Sequence, residues 1–101
     1  MKLDKPRAGD RFVVQEPFEA IVAVHWRAPF TSGCDRTLQE GLEFTVLIDP
    51  PPEATAIAAQ PSDVGRWESE LVPEEDRTAD KYGGYSLVIS FDNLLRHCAA
   101  L

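Results

Sequence analysis

Apolar and polar residues alternate in three segments of the chain. The clearest is "FEAIVAVHW", residues 18–26, and the two-residue period returns in "LEFTVLID", residues 42–49, and in "YSLVISF", residues 85–91. Successive side chains of a strand point to opposite faces, so this period predicts strands that bury one face and expose the other. Strands of this kind are typical of antiparallel sheets. The predicted inner face carries Phe18, Ala20, Val22, Val24, Trp26, Leu42, Phe44, Val46, Ile48, Tyr85, Leu87, Ile89 and Phe91.

Two shorter segments complete the predicted sheet. The segment "DRFVVQ", residues 10–15, precedes the first alternating segment, and "EATAIAAQ", residues 53–60, follows the second. The prolines of "DPPPE", residues 49–53, end pairing after the third strand because proline has no N–H to donate to a neighbouring strand. The sequence therefore predicts five short antiparallel strands.

One helix is predicted before the last strand, in "SDVGRWESEL", residues 62–71. Ser62 is its expected N-cap, and Pro73 is expected to end it because proline cannot continue the helical hydrogen bonds. A polar loop, residues 73–84, then leads to the last strand. The apolar stripe of this helix consists of Val64, Trp67 and Leu71.

A second helix is predicted at the C-terminus, in "SFDNLLRHCAAL", residues 90–101. Asp92 lies near its start, and Arg96 and His97 lie near its end, which suits the direction of the helix dipole. Its apolar stripe consists of Phe91, Leu94, Leu95 and Cys98.

These elements predict a mainly β fold in a single domain, residues 1–101, with residues 1–8 loosely ordered. Five antiparallel strands, a short helix before the last strand and a C-terminal helix favour a small, partly open barrel of SH3-like or OB-like type. An α+β roll is the alternative.

The net charge of the chain disfavours some classes of binding partner. The net charge is −7, and residues 1–29 hold five basic and four acidic side chains, so the acidic excess lies in the rest of the chain. Lysine and arginine supply most of the affinity for nucleic-acid phosphates, so a nucleic-acid-binding small barrel is disfavoured. The longest strictly apolar run is "AIVAV", residues 20–24, and no signal-peptide pattern is present. We expect a soluble, cytoplasmic protein with reduced thiols, and no membrane partner.

The segment "PFTSGCDRTL", residues 29–38, displays a cysteine, Cys34, and is interpreted as a connecting turn between the second and third strands. A reactive thiol usually has a second cysteine or a cation that lowers its pKa, and no C-x-x-C motif is present. A small enzyme or ligand-binding protein that uses His25, Cys34 and Asp35 stays as the alternative function. The spacing of His25 and Cys34 matches no structural zinc site, and His97 and Cys98 point about 100° apart on a helix, so the sequence predicts no metal and no cofactor.

Binding of a protein partner is the function that the sequence favours. Long polar loops on a small β domain commonly carry binding residues, and the candidates are loops 29–40 and 73–84. Self-association is a further alternative, since an open barrel leaves an edge strand that must be protected. The candidate binding residues are Phe30, Cys34, Arg36 and Tyr82.

Overall fold

A computed structural model describes residues 5–26 and 30–101. This part of the chain forms seven strands and three helices, so the prediction of five strands is wrong by two. In chain order the elements are β1 (Arg11–Val14), β2 (Phe18–His25), β3 (Thr31–Leu38), β4 (Glu43–Val46), β5 (Ala56–Pro61), α1 (Val64–Leu71), α2 (Glu74–Arg77), β6 (Tyr85–Ser90), α3 (Phe91–His97) and β7 (Cys98–Ala100).

The strands form one open antiparallel sheet in the order β3-β2-β6-β5-β4-β1-β7. The prediction of a mainly β, antiparallel fold is therefore confirmed, whereas the SH3-like or OB-like type and the roll stay predictions. Residues 1–4 lie outside the described residues, and Lys5 donates from Nζ to the carbonyl oxygen of Pro52 at 2.8 Å.

The sheet is strongly curled. Strands β1 and β2 lie four places apart in it, which is about 19 Å across a flat sheet at roughly 4.8 Å per strand. Only residues 15–17 connect them, and four Cα steps from Val14 to Phe18 span at most about 14 Å. The two strands must therefore approach each other by curvature. The N–H groups of Gln15 and Glu16 hold this connection by donating to the carbonyl oxygen of His97 at 2.7 and 3.2 Å.

The core lies on the inner face of this curl. Helix α1 covers part of it with Trp67 and Leu71, whose side chains are buried. The alternation in the three predicted strands is confirmed for most positions, although Ile48 lies beyond β4 and is exposed. The strand residues of the core are Val14, Phe18, Ala20, Val22, Val24, Leu38, Phe44, Val46, Ile57, Ala59, Tyr85, Leu87 and Ile89.

Helix α1 is present as predicted, with a different cap. Asp63 and not Ser62 is the N-cap, because the Asp63 carboxylate accepts a hydrogen bond from the N–H of Arg66 at 3.1 Å. The backbone becomes extended at Val72, one residue before Pro73, as expected for a helix that stops at a proline.

The C-terminal helix is shorter than predicted. Helix α3 ends at His97, and the chain then forms β7, whose Cys98 lies opposite Val14 of β1. The prediction that Cys98 continues the helical stripe is wrong, because pairing with β1 satisfies the backbone of these residues instead. Leu95, also assigned to the stripe, is 64% exposed.

The segment predicted as the connecting loop 29–40 is mostly a strand. Strand β3 pairs with β2 over its whole length, from Phe18 opposite Leu38 to His25 opposite Thr31. The interpretation of Cys34 as a residue of a displayed turn is therefore wrong. Residues 27–29, including the Pro29 predicted to end the second strand, lie outside the described residues. The predicted loop 73–84 contains the short helix α2.

Candidate functional site

Strand β3 is the terminal strand of the sheet, and in the described part of the chain no other strand pairs with its outer side. The N–H of Trp26 donates to the carbonyl oxygen of Phe30 at 3.0 Å, so the even-numbered residues of β3 bond to β2. On the other side of β2, the N–H of His25 donates to the carbonyl oxygen of Gly84, just before β6. The odd-numbered residues of β2 therefore bond to β6, which agrees with the pairing of its even-numbered residues with β3. The residues whose N–H and C=O groups point away from the sheet are Thr31, Gly33, Asp35 and Thr37.

This edge is long and has little protection. A free edge offers unpaired backbone groups to another chain, and proteins usually block it with proline, lysine or a covering loop. Strand β3 contains no proline and no lysine, and it runs for eight residues. One device is present, since Arg36 Nη1 donates to the carbonyl oxygen of Asp35 at 3.1 Å. At the opposite end of the sheet the edge strand β7 has only three residues.

Three of the four candidate residues, Phe30, Cys34 and Arg36, share the register of the inner face along this edge. Phe30 is 68% exposed, although it lies at the end of a strand pair. The Cys34 side chain is half-buried, and its Sγ lies 3.9 Å from the carbonyl oxygen of Val22. Leu38, at the other end of this row, is fully buried. The row therefore runs from an exposed aromatic ring to the core.

Tyr82, the fourth candidate, reaches the same end of the sheet through Trp26. The rings of Trp26 and Tyr82 meet edge to face with centroids 6.5 Å apart, and Trp26 Nε1 donates to Ser32 Oγ of β3 at 3.0 Å. The Tyr82 hydroxyl donates to the Glu68 carboxylate of α1 at 2.7 Å. Burial, and then the adjacent Glu68 carboxylate, raise the pKa of Tyr82 above its ordinary value. We define Trp26, Ser32, Glu68 and Tyr82 as the corner cluster.

Removing the Tyr82 hydroxyl is expected to weaken this corner. The substitution Tyr82→Phe keeps the ring contact with Trp26 but loses the bond to Glu68, and we expect a cost of about 1 kcal/mol in the free energy of unfolding. Urea denaturation measures this difference. Glu68→Ala, which removes the acceptor, provides the control, since the double variant must lose clearly less than the sum of the single ones. An additive result would contradict the proposed bond.

The structure does not bring His25 and Cys34 together. His25 lies on the outer face of β2, where its Nε2 is 2.8 Å from Ser86 Oγ, whereas Cys34 lies in the inner-face register. Asp35 is opposite Ile21, which is four residues from His25 along β2. The described residues therefore offer no nucleophile–base pair from the set His25, Cys34 and Asp35. The His25–Ser86 bond joins residues that are 61 positions apart, so only the register of the sheet reveals it.

A second surface lies on the outer face. The register places Ile21, Val88, Ala58 and Leu47 in one row across β2, β6 and β5 to the residue after β4. Ile21 and Leu47 are 44% and 43% exposed. Asp35 of β3 is next to Ile21 and ends this apolar row.

A cleft of about 460 Å³ lies between α3 and the strands β1 and β7. Phe12, Phe91, Leu94 and Cys98 supply much of its wall. Burial raises the pKa of Cys98 to about 11, so its thiol stays neutral near pH 7 and is a poor nucleophile. This cleft is therefore an apolar surface without an activated group.

Within residues 5–26 and 30–101 no three histidine, cysteine or acidic side chains are grouped closely enough to hold a metal ion. None of the helices described there has both the length and the apolar character needed to cross a membrane.

Comparisons with known proteins identify no family for this chain. No protein-family model, no curated protein and no solved structure matches the chain.

Proposed function

We propose that this chain is a small protein-binding module that accepts an extended segment of a partner protein at the free edge of β3. The observation that carries the proposal is the eight-residue edge with four outward-facing residues. Addition of a strand to an exposed edge is a common mode of peptide recognition, in which backbone hydrogen bonds supply affinity and alternate side chains supply specificity.

The side chains along the edge suit this mode. Phe30 offers an exposed aromatic anchor, and aromatic residues and arginine are enriched among the residues that dominate binding energy. Arg36 offers a charge toward the opposite end of β3, and the corner cluster extends the surface at the Phe30 end through Trp26. The net charge of −7 supports a protein rather than a nucleic acid as the partner. The free thiols of Cys34 and Cys98 support a reducing, cytoplasmic location.

Proline at the centre of the edge is expected to abolish binding. The N–H of Asp35 points away from β2, so Asp35→Pro removes an edge donor without removing a bond of the β2–β3 pair. The matched control is Asp35→Asn, which also removes the carboxylate but keeps the N–H. The tagged wild-type chain and both variants are used to capture partners from extracts of the source cells, with quantitative mass spectrometry as the readout.

We expect the wild type and Asp35→Asn to retain the same stoichiometric partner and Asp35→Pro to lose it by at least about tenfold, since the ring also blocks the approach of a new strand. Circular dichroism and thermal unfolding establish that both variants are folded. Equal capture by a folded Asp35→Pro variant would overturn the proposed edge.

A further inference from the structure

We infer that the strand accepted by β3 is β3 of a second copy of this chain; the inference rests on the proposed function of the edge. In the sequence "FTSGCDRTL", residues 30–38, the two outer of the four pairs of positions equidistant from Cys34 match in residue type. Apolar residues, Phe30 and Leu38, stand at its two ends, and Thr31 and Thr37 stand next to them. A twofold pairing requires the strand to be complementary to itself, because every residue i that opposes residue j of the second copy is matched by j opposing i.

The register follows from the geometry of the edge. Two antiparallel copies of β3 are related by a twofold axis perpendicular to the sheet, so residues of like face oppose each other. With the axis at Cys34, Thr31 lies opposite Thr37 of the second copy, and Gly33 lies opposite Asp35 of the second copy. All four outward-facing residues then form hydrogen-bonded pairs, which amounts to about eight interchain hydrogen bonds. No outward N–H or C=O group of the edge is left over.

The side chains are compatible in this register. Each Asp35 opposes a glycine, and each Arg36 opposes Ser32 of the second copy, so no like charges stand directly opposite each other. The exposed Phe30 opposes Leu38 of the second copy, and the two threonine pairs are favourable cross-strand partners.

Other registers are worse. An axis at Asp35 places the two carboxylates directly opposite each other, which is destabilising. An axis at Gly33 places Thr37 opposite Pro29 of the second copy, and proline has no N–H to donate. In the Cys34 register, pairing requires Arg36 to release the carbonyl oxygen of Asp35, because Gly33 of the second copy then donates to it.

The expected dimer is weak and of one geometry. Nine residues a side are fewer than the 20–30 of a standard interface, so we expect a dissociation constant on the order of 10–100 µM. The two sheets become continuous, and both long edges disappear. The apolar rows of the two outer faces then lie on one side of a single sheet.

Disulfide cross-linking through Cys34 tests this register directly. Residues at the twofold axis form a non-hydrogen-bonded pair with Cα atoms about 4.5 Å apart, within the range of a disulfide. The chain carrying Cys98→Ser is treated at about 100 µM with diamide, which takes the two thiol hydrogens and leaves the disulfide. We expect a covalent dimer through Cys34 whose yield increases with protein concentration.

Two further reporters separate this register from random collision. Variants with a single cysteine, Ser32→Cys or Arg36→Cys, are made in the background Cys34→Ser, Cys98→Ser. Position 32 opposes position 36 of the second copy, so neither variant is expected to cross-link alone, because its two thiols lie about four residues apart along the strands. An equimolar mixture of the two is expected to form the mixed disulfide. Cross-linking of either variant alone to the same yield as the mixture would overturn the register.

Sedimentation velocity on the unmodified chain measures the dimer without oxidation. We expect Asp35→Pro to raise the dissociation constant at least tenfold relative to Asp35→Asn. A wild-type chain that stays monomeric to about 500 µM, or a dimer that persists in folded Asp35→Pro, would overturn self-pairing. A monomeric chain whose cellular partner still distinguishes Asp35→Asn from Asp35→Pro would overturn this inference and leave the proposed function standing.

Discussion

Replacing Leu87 with alanine is expected to lower the free energy of unfolding by about 3–4 kcal/mol, since truncating a buried leucine loses its transfer free energy and leaves a cavity. Leu87 lies on β6, the strand between β2 and β5, and it is 0% exposed. The register places it beside Val22 and Ala59, which are also fully buried. Urea denaturation followed by tryptophan fluorescence measures the loss.

The neighbouring residue provides a matched control. Val88 lies on the same strand, but it belongs to the outer face and is half-buried. Val88→Ala is expected to cost at most about 1 kcal/mol, since less buried area is lost. A cost for Val88→Ala equal to that for Leu87→Ala would contradict the assignment of the two faces.

The strand residues of the core could be predicted because burial of one strand face produces a two-residue period of apolar residues in the sequence. On β2, Phe18, Ala20, Val22 and Val24 are all buried, as the two-residue period predicts. A strand that packs one face on the core must place apolar residues at every second position, and the sequence records that requirement.

Strand β3 shows no such two-residue period of apolar residues. Of its residues only Leu38 is buried, because an edge strand of this kind is held by backbone bonds to β2 and contributes little to the core. A pattern based on burial therefore reads "TSGCDRT" as a loop. Strand β7 was not predicted for a related reason. Its three residues follow directly after a helix, and they pair with β1, which is distant in the sequence.

The candidate site, too, could be predicted from the sequence only in part. The sequence selected Phe30, Cys34 and Arg36 as residues of a displayed loop, and the structure places them along one face of a free edge instead. Tyr82 was predicted as a binding residue of loop 73–84, and its hydroxyl is bonded to Glu68 of α1. Exposure can be predicted from the lack of a periodic role, whereas the partner of a side chain depends on the fold.

The proposed strand addition at the β3 edge needs a source of selectivity. Backbone groups bind any extended chain, so selectivity must come from the side chains that alternate along β3 and from charges that meet without repulsion. In the proposed self-pairing, the register centred on Cys34 meets this condition, whereas the register centred on Asp35 places two carboxylates opposite each other.

Alkylation of Cys98 is expected to be about 100-fold slower in the folded protein than in the unfolded chain at pH 8, because burial raises its pKa from 9.0 to about 11 and the thiolate is the reactive form. The measurement uses the Cys34→Ser variant and iodoacetamide, with and without urea. The unfolded chain is its own control, since the reagent and the thiol are the same. A folded-state rate within about threefold of the unfolded rate would contradict a buried, neutral thiol.

The same shift has a consequence for stability. A thiol whose folded pKa exceeds its unfolded pKa binds its proton more tightly in the folded state, so deprotonation favours unfolding. The contribution is fully present below pH 9 and is lost as the pH rises toward about 11. Burial also raises the pKa values of Tyr82 and Tyr85, so these residues titrate in every variant. We therefore expect the free energy of unfolding to fall more steeply between pH 9 and 11 in the wild type than in Cys98→Ser, and equal slopes would rule out a contribution from Cys98.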